Sequence, residues 1–146
     1  MKTTAIIIAR LIFAFVFGMA ATFKFVFVGM DATAAQIADA GFPFAHLLAW
    51  VAAFFELGLA LAFLTGLFFS EAAIVAAAYV LFLAFSFHGP NRWTANPMEF
   101  GFFVDHFTFV AGLLFAAVHG PGRVLVLRRA PPHDLGAAGP PANAPF

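Results

Sequence analysis

Five side chains in this sequence could do chemistry from within an apolar setting: Lys24, Glu56, His88, Asp105 and His106. Each lies inside or at the edge of a long hydrophobic run. Charge is costly at membrane depth, so such groups normally face other protein and mark a site. Two carboxylates and one lysine in a low-dielectric space cannot all be unpaired ions. Either Lys24 pairs with Glu56 or Asp105, or at least one acid keeps its proton near neutral pH. Both states offer hydrogen bonds suited to a quinone carbonyl, a water chain or a metal ion. Lys24 has a third option, because its long stem lets the ammonium snorkel to the interface.

The composition says what must position these groups. Hydrophobic residues make up 64% of the 146-residue chain and charged residues only 10%. Soluble domains sit near half apolar and a quarter charged. Lipid is therefore the solvent. A formal net charge of zero argues against a nucleic-acid partner. The absence of cysteine excludes disulfides, thiol redox chemistry and thiolate metal sites within the chain.

A spanning helix needs about 20 mainly apolar residues. Four segments qualify: 5–29, 44–69, 72–88 and 100–119. Lys2 ahead of an apolar run, with Gly18-Met19-Ala20 beyond it, also fits a signal peptide and cleavage site. Arg10 inside the run favours an uncleaved span. The connection 31–43 is a short interfacial helix ending at Gly41-Phe42-Pro43. Ser70-Glu71 reads as a tight turn with Ser70 as N-cap. Residues 89–97 form a loop by their turn residues. Residues 1–129 thus make one membrane domain, and the Pro/Ala-rich stretch 130–146 reads as a disordered tail.

Basic residues set the orientation. With both termini cytoplasmic, Lys2, Arg10, Arg123, Arg128 and Arg129 lie inside, and only Lys24 and Arg92 lie toward the other face. Short connections make the fold an all-α, antiparallel four-helix integral membrane bundle. Lys24, His46, His88, Glu99, Asp105 and His106 then gather in its outer half. Helical phase gives their directions. Asp105 shares a face with Thr108, Gly112, Ala116 and His119. Glu56 shares one with Ala49, Ala52 and Ala60, and His88 one with Ala73, Ala77 and Ala84. Small residues let membrane helices approach closely, so Asp105, Glu56 and His88 are expected to point inward. His106, about 100° away from Asp105, is expected to reach only the edge of the cavity. Glu56 and Asp105 are the expected proton or quinone pair, with Lys24, His88 and His106 as binding residues. Glu56, His88, Asp105 and His106 would suit iron, manganese or zinc, but no metal is assigned. His46 and His119 read as interfacial.

At this point the chain resembles the DoxX family of small four-span bacterial membrane proteins. The matching pieces are Arg10-Leu-Ile-Phe with Ala-Thr-Phe-Lys24-Phe, then Ala40-Gly-Phe-Pro-Phe, then Phe55-Glu56-Leu-Gly-Leu-Ala-Leu-Ala-Phe-Leu-Thr-Gly66. Phe85-Ser-Phe-His88 and the closing Gly112-Leu-Leu-Phe-Ala-Ala-Val-His-Gly-Pro-Gly122 also fit, so the likeness runs over residues 5–129. Lys24, Glu56 and His88 stand where the family commonly carries a lysine, a glutamate and a histidine. The fourth helix departs: the family often has Lys-Asn where this chain has Asp105-His106. That exchanges an expected Glu–Lys pair for a Glu–Asp arrangement. The resemblance implies a multi-pass bacterial inner-membrane protein in a quinone-dependent redox pathway. Having no cysteine or nucleotide motif, it would act as an oxidoreductase subunit whose partner supplies electrons. Two other roles fit the same features: a non-catalytic anchor that assembles a complex or a homo-oligomer, and a proton-coupled transporter of a small solute.

Overall fold

The computed structural model describes residues 2–127, so the tail expected over 130–146 lies outside the described residues. All regular structure among the described residues is helical. α1 (Lys2–Thr22) runs into a π-helical turn (Phe23–Phe27), followed by α2 (Met30–Asp39), α3 (Ala45–Thr65), α4 (Phe69–His88), a 3-10 turn (Pro90–Arg92) and α5 (Met98–His119). α1 with its π turn, α3, α4 and α5 are four helices long and apolar enough to cross a bilayer. In lipid every backbone N–H and C=O must be paired within its own segment, and the helix achieves this.

The π turn is continuous with α1. Val28 N–H donates to Phe23 C=O at 2.7 Å, five residues back. Such turns insert one residue into a helix and are frequent at functional sites; this one carries Lys24. Gly29, at φ 85°, then reverses the chain. Its carbonyl accepts both the Thr33 N–H at 3.1 Å and the Thr33 hydroxyl at 2.9 Å, which starts α2. α2 buries Thr33, Ala34 and Ile37. Ala34 and Ile37 cluster with Ala49 of α3, with Phe42 and Phe87 packed around them.

The turn between α3 and α4 corrects one expectation. Ser70-Glu71 is not a turn but the first turn of α4. The reversal lies at Gly66–Phe68, because Gly66 adopts φ 72° and ends α3 with its N–H on Ala62 C=O at 2.8 Å. This is the left-handed glycine cap that helices commonly use.

The helices associate as two pairs, α1 with α3 and α4 with α5, while α3 and α4 approach each other less closely. Phenylalanine rings join the pairs. Phe63 lies against Phe13, Phe17 and Phe69 at centroid distances of 5.3, 5.7 and 5.5 Å. Phe109 of α5 meets Phe13 edge-on at 5.5 Å. In lipid such contacts act through packing, since hydrocarbon surrounds the helices in any case. This cluster fills the half of the bundle near Arg10 and leaves the opposite half open.

Arg10, expected merely to mark a cytoplasmic end, is 3% exposed. Its five N–H groups reach five carbonyls. Nε donates to Phe63 O at 3.2 Å and Nη2 to Leu64 O at 2.9 Å, both at the C-terminal end of α3. Nη2 also meets Leu125 O at 2.8 Å, and Nη1 meets Pro121 O at 3.3 Å and Val124 O at 2.9 Å. The last carbonyls of a helix lack intrahelical partners and carry partial negative charge, so a guanidinium is well placed there. The segment after α5 is thereby held against α3, where Leu127 N–H donates to Thr65 O at 3.0 Å.

Candidate functional site

The open half of the bundle holds a cavity of about 980 Å³ between α3 and α4, roofed by α2. Its size is at the upper end of small-molecule sites. Val51, Phe55, Phe82, Leu83 and Phe87 give it an apolar wall. Val51 and Phe82 are also 54% and 49% exposed, so the cavity opens sideways between α3 and α4.

The deep end is polar. Glu56, 2% exposed, sits on the α3 stripe of Ala49, Ala53, Ala60 and Phe63. Lys24 Nζ donates to its Oε1 at 2.8 Å and its Oε2 at 2.7 Å. The Tyr79 hydroxyl of α4 donates to Oε1 at 2.8 Å. Lys24 also lies 3.5 Å from Ala20 O. The carboxylate thus meets an opposite charge and a neutral donor, which offsets much of the cost of burying it.

The rim is polar too. His88 Nδ1 lies 2.6 Å from Glu99 Oε2, and Trp93 Nε1 donates to His88 O at 2.8 Å. A carboxylate accepts, so Nδ1 carries the proton and Nε2 stays available. The His106 ring packs on His88 with centroids 5.1 Å apart. His106 Nδ1 donates to Phe102 O at 2.6 Å, which fixes the same tautomer. Arg92, Gln36 and Asp39 complete the rim. Tyr79 and His88 are nine residues apart on α4, so the two polar ends stand about 13 Å apart along the helix. An elongated molecule with a polar head fits such a space.

The structure therefore brings together Lys24, Glu56, His88 and His106 around one cavity, and it leaves Asp105 out. Asp105 is exposed and makes no hydrogen bond or ion pair among the described residues. The expectation that it points inward is corrected. The phase argument was right lower down α5: a Cβ on Gly112 would stand 3.5 Å from Phe13 Cζ of α1. Two turns higher, no helix covers the same face. His106, expected at the edge, does line the rim. The expected Glu–Asp arrangement is replaced by a Glu–Lys pair formed between α1 and α3. Among the described residues no three metal-type side chains converge.

Two participants escaped the sequence reading. Tyr79 is the single tyrosine of the chain. A phenol in mid-span needs a hydrogen-bond partner, and that was the available signal. Glu99 was placed in the outer half without a role, and its spacing to His88 crosses a loop whose path the sequence does not fix. His46 makes only a 3.7 Å contact with Asp31, both well exposed. His119 bonds Phe115 O of its own helix at 2.8 Å.

Four apolar spanning helices enclosing a buried lysine–glutamate–tyrosine group define a small polytopic membrane protein with an internal polar site. The family model for DoxX matches residues 5–89, from α1 through α4, and the chain belongs to the DoxX family. Lys24, Glu56, Tyr79 and His88 lie within the matched part, whereas Glu99, Asp105 and His106 lie beyond it. No curated protein and no solved structure matches the chain.

Proposed function

We propose that this DoxX-family chain is a quinone-linked subunit of a membrane redox pathway. The observation that carries the reading is the Lys24–Glu56–Tyr79 group at the blind end of an apolar-walled cavity open to the bilayer. A quinone carbonyl needs a hydrogen-bond donor, and Lys24 can turn to it the N–H that makes only a long 3.5 Å bond to Ala20 O, keeping its two shorter bonds to Glu56. The Tyr79 hydroxyl, polarised by Glu56, supplies an acceptor for the reduced, hydroxyl-bearing form. Phe55, Phe82 and Phe87 give the ring an apolar slot, and the gap between Val51 and Phe82 gives an isoprenoid tail a way out. A bound quinone would carry electrons between the pathway and the membrane pool. The chain itself holds and orients the molecule, and a partner protein supplies the electrons. Glu56, Lys24 and Tyr79 contact the ligand, with His88 and His106 at the mouth. Asp105 has no part in this site.

The positive-inside rule supports the orientation. Arg10 and Arg123 stand at one end of the bundle, so the cavity mouth faces the non-cytoplasmic side of a bacterial inner membrane. A second reading, a non-catalytic anchor, draws support from the fact that the Glu56 bonds are satisfied within the chain.

Purification from native membranes in mild detergent, with mass spectrometry of the extracted lipid, separates the two. The redox reading expects near-stoichiometric quinone that Glu56→Gln and Lys24→Met lose while circular dichroism stays helical. Wild-type protein that carries no quinone and binds none when it is added sinks this reading and leaves the anchor.

A further inference from the structure

We infer that α2 is a hinged lid over a second entrance, which opens the cavity to water while the gap between α3 and α4 opens it to lipid. α2 is 10 residues long, about 15 Å, and too short to cross a bilayer. It closes the cavity at the end of the bundle opposite Arg10. Gln36 and Asp39 line the cavity and are themselves exposed. A single layer of side chains therefore separates the cavity from the aqueous side.

The lid is lightly held. Its buried apolar core is Ala34 and Ile37 against Ala49 of α3, with Leu48 and Phe87 packed around them. The Phe63 cluster, by contrast, draws on α1, α3, α4 and α5. Among the described residues no hydrogen bond ties α2 to another helix. The Thr33 hydroxyl bonds Gly29 O just ahead of it, and the ion pair of Asp31 with His46 is 3.7 Å long and exposed. Elements with so little buried apolar contact open locally at low free energy.

Each end of α2 has a pivot. Gly29 and Gly41 adopt φ 85° and 87°, and nothing lies within 4 Å of where a Cβ would stand on either. Such positions take up backbone rotation without collision. Phe44, three residues past Gly41, is a non-glycine residue at φ 54°. The closed lid thus holds backbone strain beside its second hinge. Phe42, between the two, is the latch. Its ring lies 5.6 Å from Phe82 and 6.4 Å from Phe87, both on α4 and both in the cavity wall. With that ring withdrawn, the polar rim of Gln36, Asp39 and Arg92 lies open to small water-borne solutes.

The lid does not depend on what the cavity holds, so its failure would leave the sideways entrance and the quinone reading intact. The chain has no cysteine, and Ala52→Cys places a single thiol on the cavity wall. In lipid nanodiscs, with both faces in water, this thiol is offered a charged methanethiosulfonate and, separately, a lipid-soluble maleimide. Adding Phe42→Ala should raise the rate with the charged reagent about tenfold, the shift expected from losing an aromatic contact. The rate with the lipid-soluble reagent should stay unchanged. Hydrogen exchange on the unaltered chain keeps the test valid if Phe42→Ala folds poorly. Amides of residues 33–39 are expected to exchange together, and about tenfold faster or more than those of residues 83–87 at the same end of the bundle. A charged-reagent rate that Phe42→Ala leaves unchanged, a rise shared by both reagents, or α2 amides as slow as those of 83–87 overturns the proposal.

Discussion

Lys24 Nζ stands 2.8 and 2.7 Å from the two carboxylate oxygens of Glu56, spanning the gap between the π turn after α1 and the middle of α3. The two side chains differ in setting: Glu56 is buried, whereas the side chain of Lys24 is 22% exposed. The acid is locked in, while the base retains a way out along its stem.

That asymmetry predicts unequal damage. Lys24→Met strands a buried carboxylate and is expected to cost about 3–5 kcal/mol. Glu56→Leu leaves an ammonium able to snorkel, so it should cost less. Lys24→Met with Glu56→Leu should recover much of the loss, because a well-packed apolar pair replaces an ion pair at little net cost. Unfolding titrations in detergent read all three. Equal costs for the two single variants would show that Glu56 reaches water in solution.

Tyr79→Phe removes one donor to Glu56 but keeps Lys24. A hydrogen bond to a charged group contributes about 1.5–3 kcal/mol, so a stability loss within that range is expected. Affinity for a short-chain quinone should fall as well, measured by quenching of Trp50 and Trp93 fluorescence. Unchanged affinity in a folded variant would remove Tyr79 from the proposed ligand contacts.

Arg10→Lys tests the latch at the other end. Lysine has three donors where the guanidinium uses five, so at least two of the carbonyls lose their partner. Hydrogen exchange of the Leu127 amide, bonded to Thr65 O at 3.0 Å, should accelerate while that of mid-span amides in α3 does not. Full protection of Leu127 in the variant would show that the segment holds without Arg10.

Gly66→Ala probes the same corner. Its φ of 72° suits glycine, and a Cβ there would come within 3.2 Å of Arg10 Nη2. A loss of about 1–2 kcal/mol is expected from the left-handed conformation alone. Detergent unfolding at wild-type strength would mean that the turn has relaxed to another conformation.

Apolar run length made the four crossings legible, because lipid leaves the backbone one solution. The inward aim of Glu56 was legible as well, since Ala49 and Ala60 of its stripe are buried and Ala52 lines the cavity. Asp105 was misread for a physical reason. Phase within α5 says which residues share a side, but not how far along that side another helix extends. α1 covers Gly112 and not Asp105. The Lys24–Glu56 contact stayed one option among three, because the π turn that aims Lys24 leaves no mark in hydropathy. His88–Glu99 depends on the fold of the loop 89–97, where Trp93 ties back to His88 O.

The carbonyls around Arg10 come from two places far apart in the chain, the end of α3 and the stretch beyond α5. During synthesis three of those five acceptors do not exist until the last helix has been made. Until then only the Phe63 and Leu64 carbonyls of α3 are there to receive the Arg10 guanidinium. A chain ending before Pro121 therefore leaves three of the five guanidinium N–H groups without the carbonyls they meet in the complete fold.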